Sequence, residues 1–178
     1  MVDIPTLETS RLRLRAYRIE EFELYAAMWA EPAVVRFIGG SLMPREAAWI
    51  RFLRQIGLWH YLGFGFFAIE DKATGAFIGE AGFHDLHRSL SLSLEGTMEA
   101  GWGLVGAMQG RGLADEAMLA ASVWADQHWP EKRMTCIIHP DNAASLRVAS
   151  KLGFGEIARS TYHDSPVVVL ERPRTTTV

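Results

Sequence analysis

Gln109-Gly110-Arg111-Gly112-Leu113-Ala114 is a glycine-rich turn set between a strand pattern and a helix pattern, and its reading decides the fold. Upstream, Met98, Ala100, Trp102 and Leu104 alternate with Thr97, Glu99, Gly101 and Gly103, the period-two signature of a strand. Downstream, Ala114–Trp129 carries helical periodicity and is closed by Pro130. Glycines in the turn remove the side chains that would hold a phosphate away from the backbone. Backbone N–H groups at a helix N-terminus form an anion site that the helix dipole reinforces. Arg111 adds a guanidinium fork suited to phosphate oxygens. The plainer alternative is a flexible turn before an amphipathic helix. Asp115 and Glu116 fit that alternative, because acidic first turns stabilise helices.

Two nucleotide-binding readings of the same region fail on context. Gly101-Trp102-Gly103-Leu104-Val105-Gly106 matches the dinucleotide fingerprint letter by letter. That fingerprint needs a helix opening within the glycines and an acidic residue ending a second strand. Here the helical pattern starts only after Gly112, and Asp126 stands inside the helix rather than at a strand end. A P-loop also fails, since no Gly-Lys-Ser or Gly-Lys-Thr closes the segment.

Outward from this centre, strands are expected at about 11–15, 66–70, 76–83, 134–138, 156–162 and 167–171, and helices at 19–30, 44–62 and 141–152. Gly153 caps the last helix, and His84–Gly96 reads as a loop or an irregular hairpin. The interleaving predicts an α/β fold, mixed α+β, with one sheet of six to seven strands and helices on both faces. One domain over 1–172 is expected, with 173–178 as a frayed tail.

The chain has 178 residues, 49% hydrophobic and 22% charged, with a formal net charge of -3. Such a composition excludes a wholly disordered chain. Slight acidity argues against a general nucleic-acid binder, which needs surplus Lys and Arg. The single cysteine, Cys136, excludes an internal disulfide framework and a thiolate zinc cluster. No apolar run reaches membrane-spanning length and no signal-like stretch opens the chain. The cytoplasm is therefore the default location, with no membrane partner.

Gln109–Ala114 resembles Q/R-x-x-G-x-G/A, the coenzyme A pyrophosphate loop of the GNAT acyltransferases, and Asp115-Glu116-Ala117 is similar to the Thr-Glu-Ala that usually follows. Asn142-Ala143-Ala144-Ser145, leading to Lys151-Leu152-Gly153-Phe154, resembles the family's second signature. Leu7-Glu8-Thr9-Ser10-Arg11-Leu12-Arg13-Leu14-Arg15 and Glu99-Ala100-Gly101-Trp102 are similar to the ribosomal-protein N-acetyltransferase branch. The resemblance runs from about Leu7 to Glu171.

It implies the GNAT fold, with a mostly antiparallel sheet and acetyl-CoA as co-substrate without a metal. The strand before the loop would splay from its neighbour, and the pantetheine arm would lie between them. Backbone groups of Leu104 and Val105 would bond that arm, while Gln109, Gly110, Arg111, Gly112, Leu113 and Ala114 would wrap the pyrophosphate. Asn142 would hydrogen-bond the arm, a role compatible with capping a helix. Ser145 would polarise the departing sulfur, although a helix-turn hydroxyl needs no function.

Transfer to an amine needs a neutral nucleophile, and a positioned carboxylate can take the proton. Glu99, on the strand face shared with Gly101 and Gly103, is the candidate base; a structural ion pair is its alternative. Trp29 and the region 31–44 are candidates for shaping the acceptor pocket. Asp85 and Glu95, with Glu99, would supply a negative rim that steers a cationic amine. His84 and His87 are too few ligands for a metal, Cys136 reads as packing, and His139 as structural.

The expected reaction is acetylation of a primary amine, a protein N-terminus or a small molecule, by direct attack in a ternary complex. A non-catalytic acyl-CoA-binding module of the same fold is the rival, and a nucleotide-dependent oxidoreductase is more distant. A monomer or a homodimer is expected.

Overall fold

A computed structural model describes residues 3–173. One eight-stranded sheet contains β1 (Leu7–Glu8), β2 (Leu12–Arg15), β3 (Phe66–Asp71), β4 (Phe77–His84), β5 (Met98–Leu104), β6 (Met134–Ile138), β7 (Gly155–Tyr162) and β8 (Ser165–Arg172). Their order across the sheet is β1-β2-β3-β4-β5-β6-β8-β7. Neighbours are antiparallel throughout, except that β5 and β6 run parallel. The expected six to seven strands become eight because β1, two residues long, is too short to leave a periodic signal. The expected frayed tail lies outside the described residues but for Pro173.

Among the described residues, five α-helices flank the sheet: α1 (Phe22–Trp29), α2 (Pro32–Val35), α3 (Arg45–Leu62), α4 (Leu113–His128) and α5 (Ala143–Lys151). Alternation along the strands divides the core in two. Leu12, Leu14, Phe67, Ile69 and Phe83 pack with Leu113, Ala117, Met118 and Trp124 of α4. Ala68 and Phe77 pack with Phe22, Tyr25, Met28 and Trp29 of α1, Val34 and Val35 of α2, and Phe52 of α3. Because β3 is covered on both faces, its sequence reads as a continuous apolar run. Fully burying each such large side chain contributes about 1.5–3 kcal/mol. Truncating Phe67, which has no exposed surface, to Ala costs about 3–5 kcal/mol.

Helix boundaries differ from the periodicity where local chemistry intervenes. The helix expected over 19–30 opens as a 3-10 turn at Ile19–Glu21 before α1. Pro32 does not merely end a helix; it occupies the first turn of α2, where its missing N–H is no loss. The helix expected from Asp141 starts at Ala143, since the Asn142 side chain accepts the Ser145 N–H at 3.1 Å and acts as the N-cap.

The feature that positions the site is a divergence. β4 and β5 pair over six positions, from Gly79↔Leu104 to His84↔Glu99. β5 and β6 pair only at Met98↔Met134 and Glu99↔Thr135. β6 then stays with β8 through Ile138, so the segment from Ala100 to Leu104 has an unpaired far edge and a cleft opens beside it.

Candidate active site

The cleft edge of β5 presents a defined set of backbone groups. Val105 N–H donates to the Ile78 carbonyl at 3.0 Å. Antiparallel ladders alternate, so Gly101 and Gly103 also face β4, while Trp102 and Leu104 turn their N–H and C=O toward the cleft. The Leu104 carbonyl accepts from Gln109 Nε2 at 3.0 Å. Val105, expected at this edge, has both backbone groups engaged within the chain, its carbonyl accepting from Met108 N–H at 2.9 Å. Trp102 takes its place.

Beyond β5 the chain makes its glycine turn. Gly110 and Gly112 hold φ of +73° and +72°, left-handed values that other residues adopt only at a cost of about 1–2 kcal/mol. Gly112 is the N-cap of α4. The N–H groups of Leu113, Ala114 and Asp115 belong to the first turn, where no intrahelical acceptor exists. A cavity of about 460 Å³ lies against them, lined also by Trp102, Leu104, Gln109, Gly110 and Asn142. A Cβ placed on Gly103 or Gly110 would meet nothing within 4 Å. Both glycines therefore border open space wide enough for a ligand's backbone-close approach.

Cations come from positions that the motif did not flag. Arg36, Arg147 and Lys151 line this cavity, and Arg111 does not. Arg111 instead points its Nη1 at Met108 Sδ, 2.8 Å away, so the expected phosphate fork is turned outward. The one available signal was spacing: Arg147 and Lys151 lie four apart on α5 and share a face.

The turn is braced from the far end of the sequence. Glu116 accepts from Thr9 Oγ1 at 2.6 Å, Ser10 Oγ at 3.0 Å, Arg11 N–H at 2.9 Å and Arg11 Nε at 2.6 Å. Burial alone would raise this carboxyl, but those donors outweigh it and hold the pKa at about 2. The same guanidinium reaches on to the carbonyls of Arg111 at 3.0 Å and Gly112 at 3.4 Å.

A second cavity, of about 240 Å³, continues from the first, sharing Phe37, Ile38, Trp102, Asn142 and Ser145 with it. It lies on the α1–α3 side of the sheet and includes Trp29, Arg51, Glu80, Arg88, Glu99 and Tyr162. Glu99 is 3% exposed. Its Oε1 meets His84 Nε2 at 2.9 Å, and Arg88 Nε bonds both oxygens at 2.9 and 2.8 Å. Burial pushes Glu99 up, yet these partners hold it below the usual carboxylate range. Burial lowers His84 in turn, against the pull of Glu99.

Glu80 forms a second, parallel arrangement that the sequence reading missed. It is 1% exposed and accepts from Tyr17 Oη at 2.7 Å, Arg51 Nη2 at 2.8 Å and Gln55 Nε2 at 3.3 Å. Arg51 also donates to Tyr25 Oη at 3.0 Å and covers the Trp29 ring at 4.0 Å. Arg51 and Gln55 sit one turn apart on the face of α3 that also buries Leu58. Polar residues on an inward helix face were the legible clue.

The expected negative rim is corrected. Asp85 accepts from the N–H groups of Gly96 at 2.7 Å and His87 at 3.4 Å, and Glu95 lies 3.7 Å from His87. Neither lines the cavity, and both glutamates that do are matched by arginines. Cys136 is buried in β6, where burial pushes its thiol well above the ordinary value. The Trp29 ring and Phe37–Gly39 line the cavity wall.

The glycine turn at a helix N-terminus, the splayed strands and the two joined cavities together define an acyltransferase architecture. The acetyltransferase (GNAT) domain matches residues 11–155, and the chain belongs to that family. A GnaT-family acetyltransferase chain from Bordetella pertussis is 31% identical, covers 95% of this chain and 99% of its own, and superposes with a TM-score of 0.83. An acetyltransferase from Agrobacterium tumefaciens is 28% identical over 96% of this chain and 95% of its own, with a TM-score of 0.83. The YkkB protein of Bacillus subtilis is 27% identical over 93% of this chain and 94% of its own length. In fold alone, the chain is similar to a RimL ribosomal-protein acetyltransferase solved with coenzyme A. That structure is 17% identical, covers 94% of this chain and 97% of its own, and has a TM-score of 0.71.

Proposed function

We propose that the protein transfers acetyl from acetyl-CoA to a primary amine, by direct attack within a ternary complex. The observation that carries this reading is the continuity of the two cavities through Trp102, Asn142 and Ser145. A cofactor arm and an acceptor entering from opposite ends would meet there.

In this reading the N–H groups of Gly110 to Ala114, with Arg36, Arg147 and Lys151, hold the phosphates. Trp102 and Leu104 offer the pantetheine amides a strand edge. Asn142 keeps its oxygen on the Ser145 N–H, which leaves its amide N–H groups for the arm. The amine nitrogen bonds the thioester carbon, the C–S bond breaks, and sulfur leaves as thiolate. Ser145 donates a hydrogen bond to that sulfur. The proton shed by nitrogen passes to Glu99, directly or through water.

A neutral amine is required, and an α-amine with a pKa of about 8 supplies more of it at neutral pH than lysine at about 10.4. A protein N-terminus or a small-molecule amine is therefore the acceptor. One observation favours a non-catalytic acyl-CoA module instead: Glu99 is already bonded by two partners and is a weak base. Thiol release from acetyl-CoA over a panel of amines separates the two. Release with at least one amine supports transfer, and tight CoA binding without release from any amine supports the module.

A further inference from the structure

The smaller cavity holds charge without offering any. Among the described residues, Arg51, Glu80, Arg88 and Glu99 are the only Lys, Arg, Asp or Glu side chains that line it. They pair off, with Arg51 Nη2 at 2.8 Å from Glu80 and Arg88 Nε at 2.8 Å from Glu99. Each guanidinium is also laid over a ring, Arg51 over Trp29 at 4.0 Å and Arg88 over Tyr162 at 4.6 Å. Both glutamates are buried, so a ligand charge that drew one partner away would leave the other uncompensated. Neither a ligand carboxylate nor a second ammonium finds a free partner here. The reacting amine is neutral when it attacks and needs no counter-charge.

Much of the remaining wall is apolar. Ile137 and Val167 alternate along their strands with Cys136, Ile138 and Val168, which pack toward α4. Their own side chains therefore stand on the cavity side of the sheet. Phe66 is buried on that side too, and a Cβ at Gly101 would come within 2.8 Å of its Cζ. The bare backbone of Gly101 thus lets this ring reach across β4 to β5. Phe37, half-buried, adds a further ring where the two cavities join. A volume of about 240 Å³ falls below the roughly 300–1,000 Å³ of pockets for drug-sized ligands. Its occupant is small.

We infer that the acceptor is a primary amine whose body within this cavity is small, apolar and uncharged, a ring or short hydrocarbon chain packed against Phe66, Ile137 and Val167. The inference rests on the acetyltransferase reading for the fate of the amine alone; the preference for an apolar body is a binding property of the cavity. Polyamines and free amino acids are then poor occupants, because each brings a second charge that stays unpaired. Amino sugars bring hydroxyls that an apolar wall leaves without partners. A small-molecule amine and a peptide N-terminus with an apolar first side chain present the same chemistry.

Binding measured calorimetrically on protein saturated with CoA tests this apart from turnover. The probes are 2-phenylethylamine, hexylamine, ethanolamine, phenylalanine, spermidine, glucosamine, and two tripeptide amides that begin with Phe or with Ser. The better of the two apolar amines should bind at least about tenfold tighter than ethanolamine, equivalent to about 1.4 kcal/mol. Its binding should carry the negative heat-capacity change of apolar burial and respond little to added salt. Ile137→Thr keeps the branched shape but adds a hydroxyl, and it should weaken the apolar amines several-fold while leaving ethanolamine within about twofold. Phe37→Ser should act in the same direction, and Phe37→Leu should keep the preference. A Phe-led tripeptide amide that matches 2-phenylethylamine points to a protein N-terminus as the source, and one that binds far more weakly points to a small molecule; either upholds the apolar body.

Ethanolamine, spermidine, glucosamine, phenylalanine or the Ser-led tripeptide amide binding as tightly as the best apolar amine overturns the inference, as does an absence of binding by every probe. An apolar preference that survives both Ile137→Thr and Phe37→Ser unchanged would place it outside this cavity and overturn the inference too. Thiol release from acetyl-CoA is scored separately. Release led by spermidine or ethanolamine would retain the transferase and discard the apolar site. Binding selective for apolar amines without release would do the reverse.

Discussion

Arg11 Nε lies 2.6 Å from Glu116 Oε2, and the same side chain places its Nη1 3.0 Å from the Arg111 carbonyl oxygen. One exposed arginine near the start of the chain thereby ties the first turn of α4 to the glycine turn before it. Holding the carbonyls of Arg111 and Gly112 backward directs the following N–H groups toward the larger cavity. Arg11→Ala should weaken CoA binding several-fold through misorientation of the turn, and calorimetric titration of CoA reads the change. Unaltered affinity would show that the turn holds its shape unaided.

Glu116 makes acid stability a readout of the same brace. Its folded pKa of about 2 lies below the ordinary value of 4.5, so its contribution is present above about pH 4.5 and is lost as pH falls toward 2. Glu116→Gln removes charge-assisted bonds to Thr9, Ser10 and Arg11, at a cost of about 1.5–3 kcal/mol at neutral pH. The variant should also lose the steep decline of stability between about pH 4.5 and 2. Denaturant melts at a series of pH values check both. A variant whose acid limb matches the parent's would assign that limb to other carboxylates.

Gly110 and Gly112 should not tolerate branched residues. Valine at either position adopts a left-handed φ at a cost of about 1–2 kcal/mol, and at Gly110 its side chain projects into space that is now open. The loss of CoA affinity should exceed the loss of stability. Equal losses would mean strain alone.

Asn142 separates capping from cofactor contact. Asn142→Asp keeps the oxygen that accepts the Ser145 N–H and should leave stability nearly unchanged, while removing the amide N–H groups and weakening CoA. Asn142→Ala should lose both, with about 1 kcal/mol of stability. If Asn142→Asp bound CoA as well as the parent, the contact with the arm would fall and only the cap would remain.

Much of this site was legible because glycines and caps carry their chemistry locally. The turn 109–114, the helix after it and the Asn142 cap follow from residue identity within a few positions. What escaped is set by pairing across the sheet. Whether Val105 or Trp102 faces the cleft depends on the register Gly79↔Leu104, which no local pattern contains. Arg111 turns its Nη1 to Met108 Sδ, while Arg11, one hundred residues earlier in the sequence, holds its carbonyl. Glu80 reads as one more strand residue until Tyr17, Arg51 and Gln55 converge on it from three elements.

Glu99 yields a pH prediction opposite in placement to a simple base. Because Arg88 and His84 hold its carboxyl below the usual range, its titration lies in acid, not near neutrality. An acidic limb of the rate profile near neutral pH should then follow the acceptor's own amine, shifting as the amine pKa is changed. Glu99→Gln should lower turnover, leave CoA affinity nearly intact and keep that limb where it was. A neutral-range limb that vanishes in the variant would give Glu99 a raised pKa and restore it as the titrating base.

The most direct test of acetyl transfer is thiol release from acetyl-CoA with the amine panel, run at about pH 7 and about pH 9. The account predicts release that depends on the amine, rises between those values as the nucleophile deprotonates, and is strongest for amines of low pKa. Tight CoA binding with no amine-dependent release at either pH would contradict it.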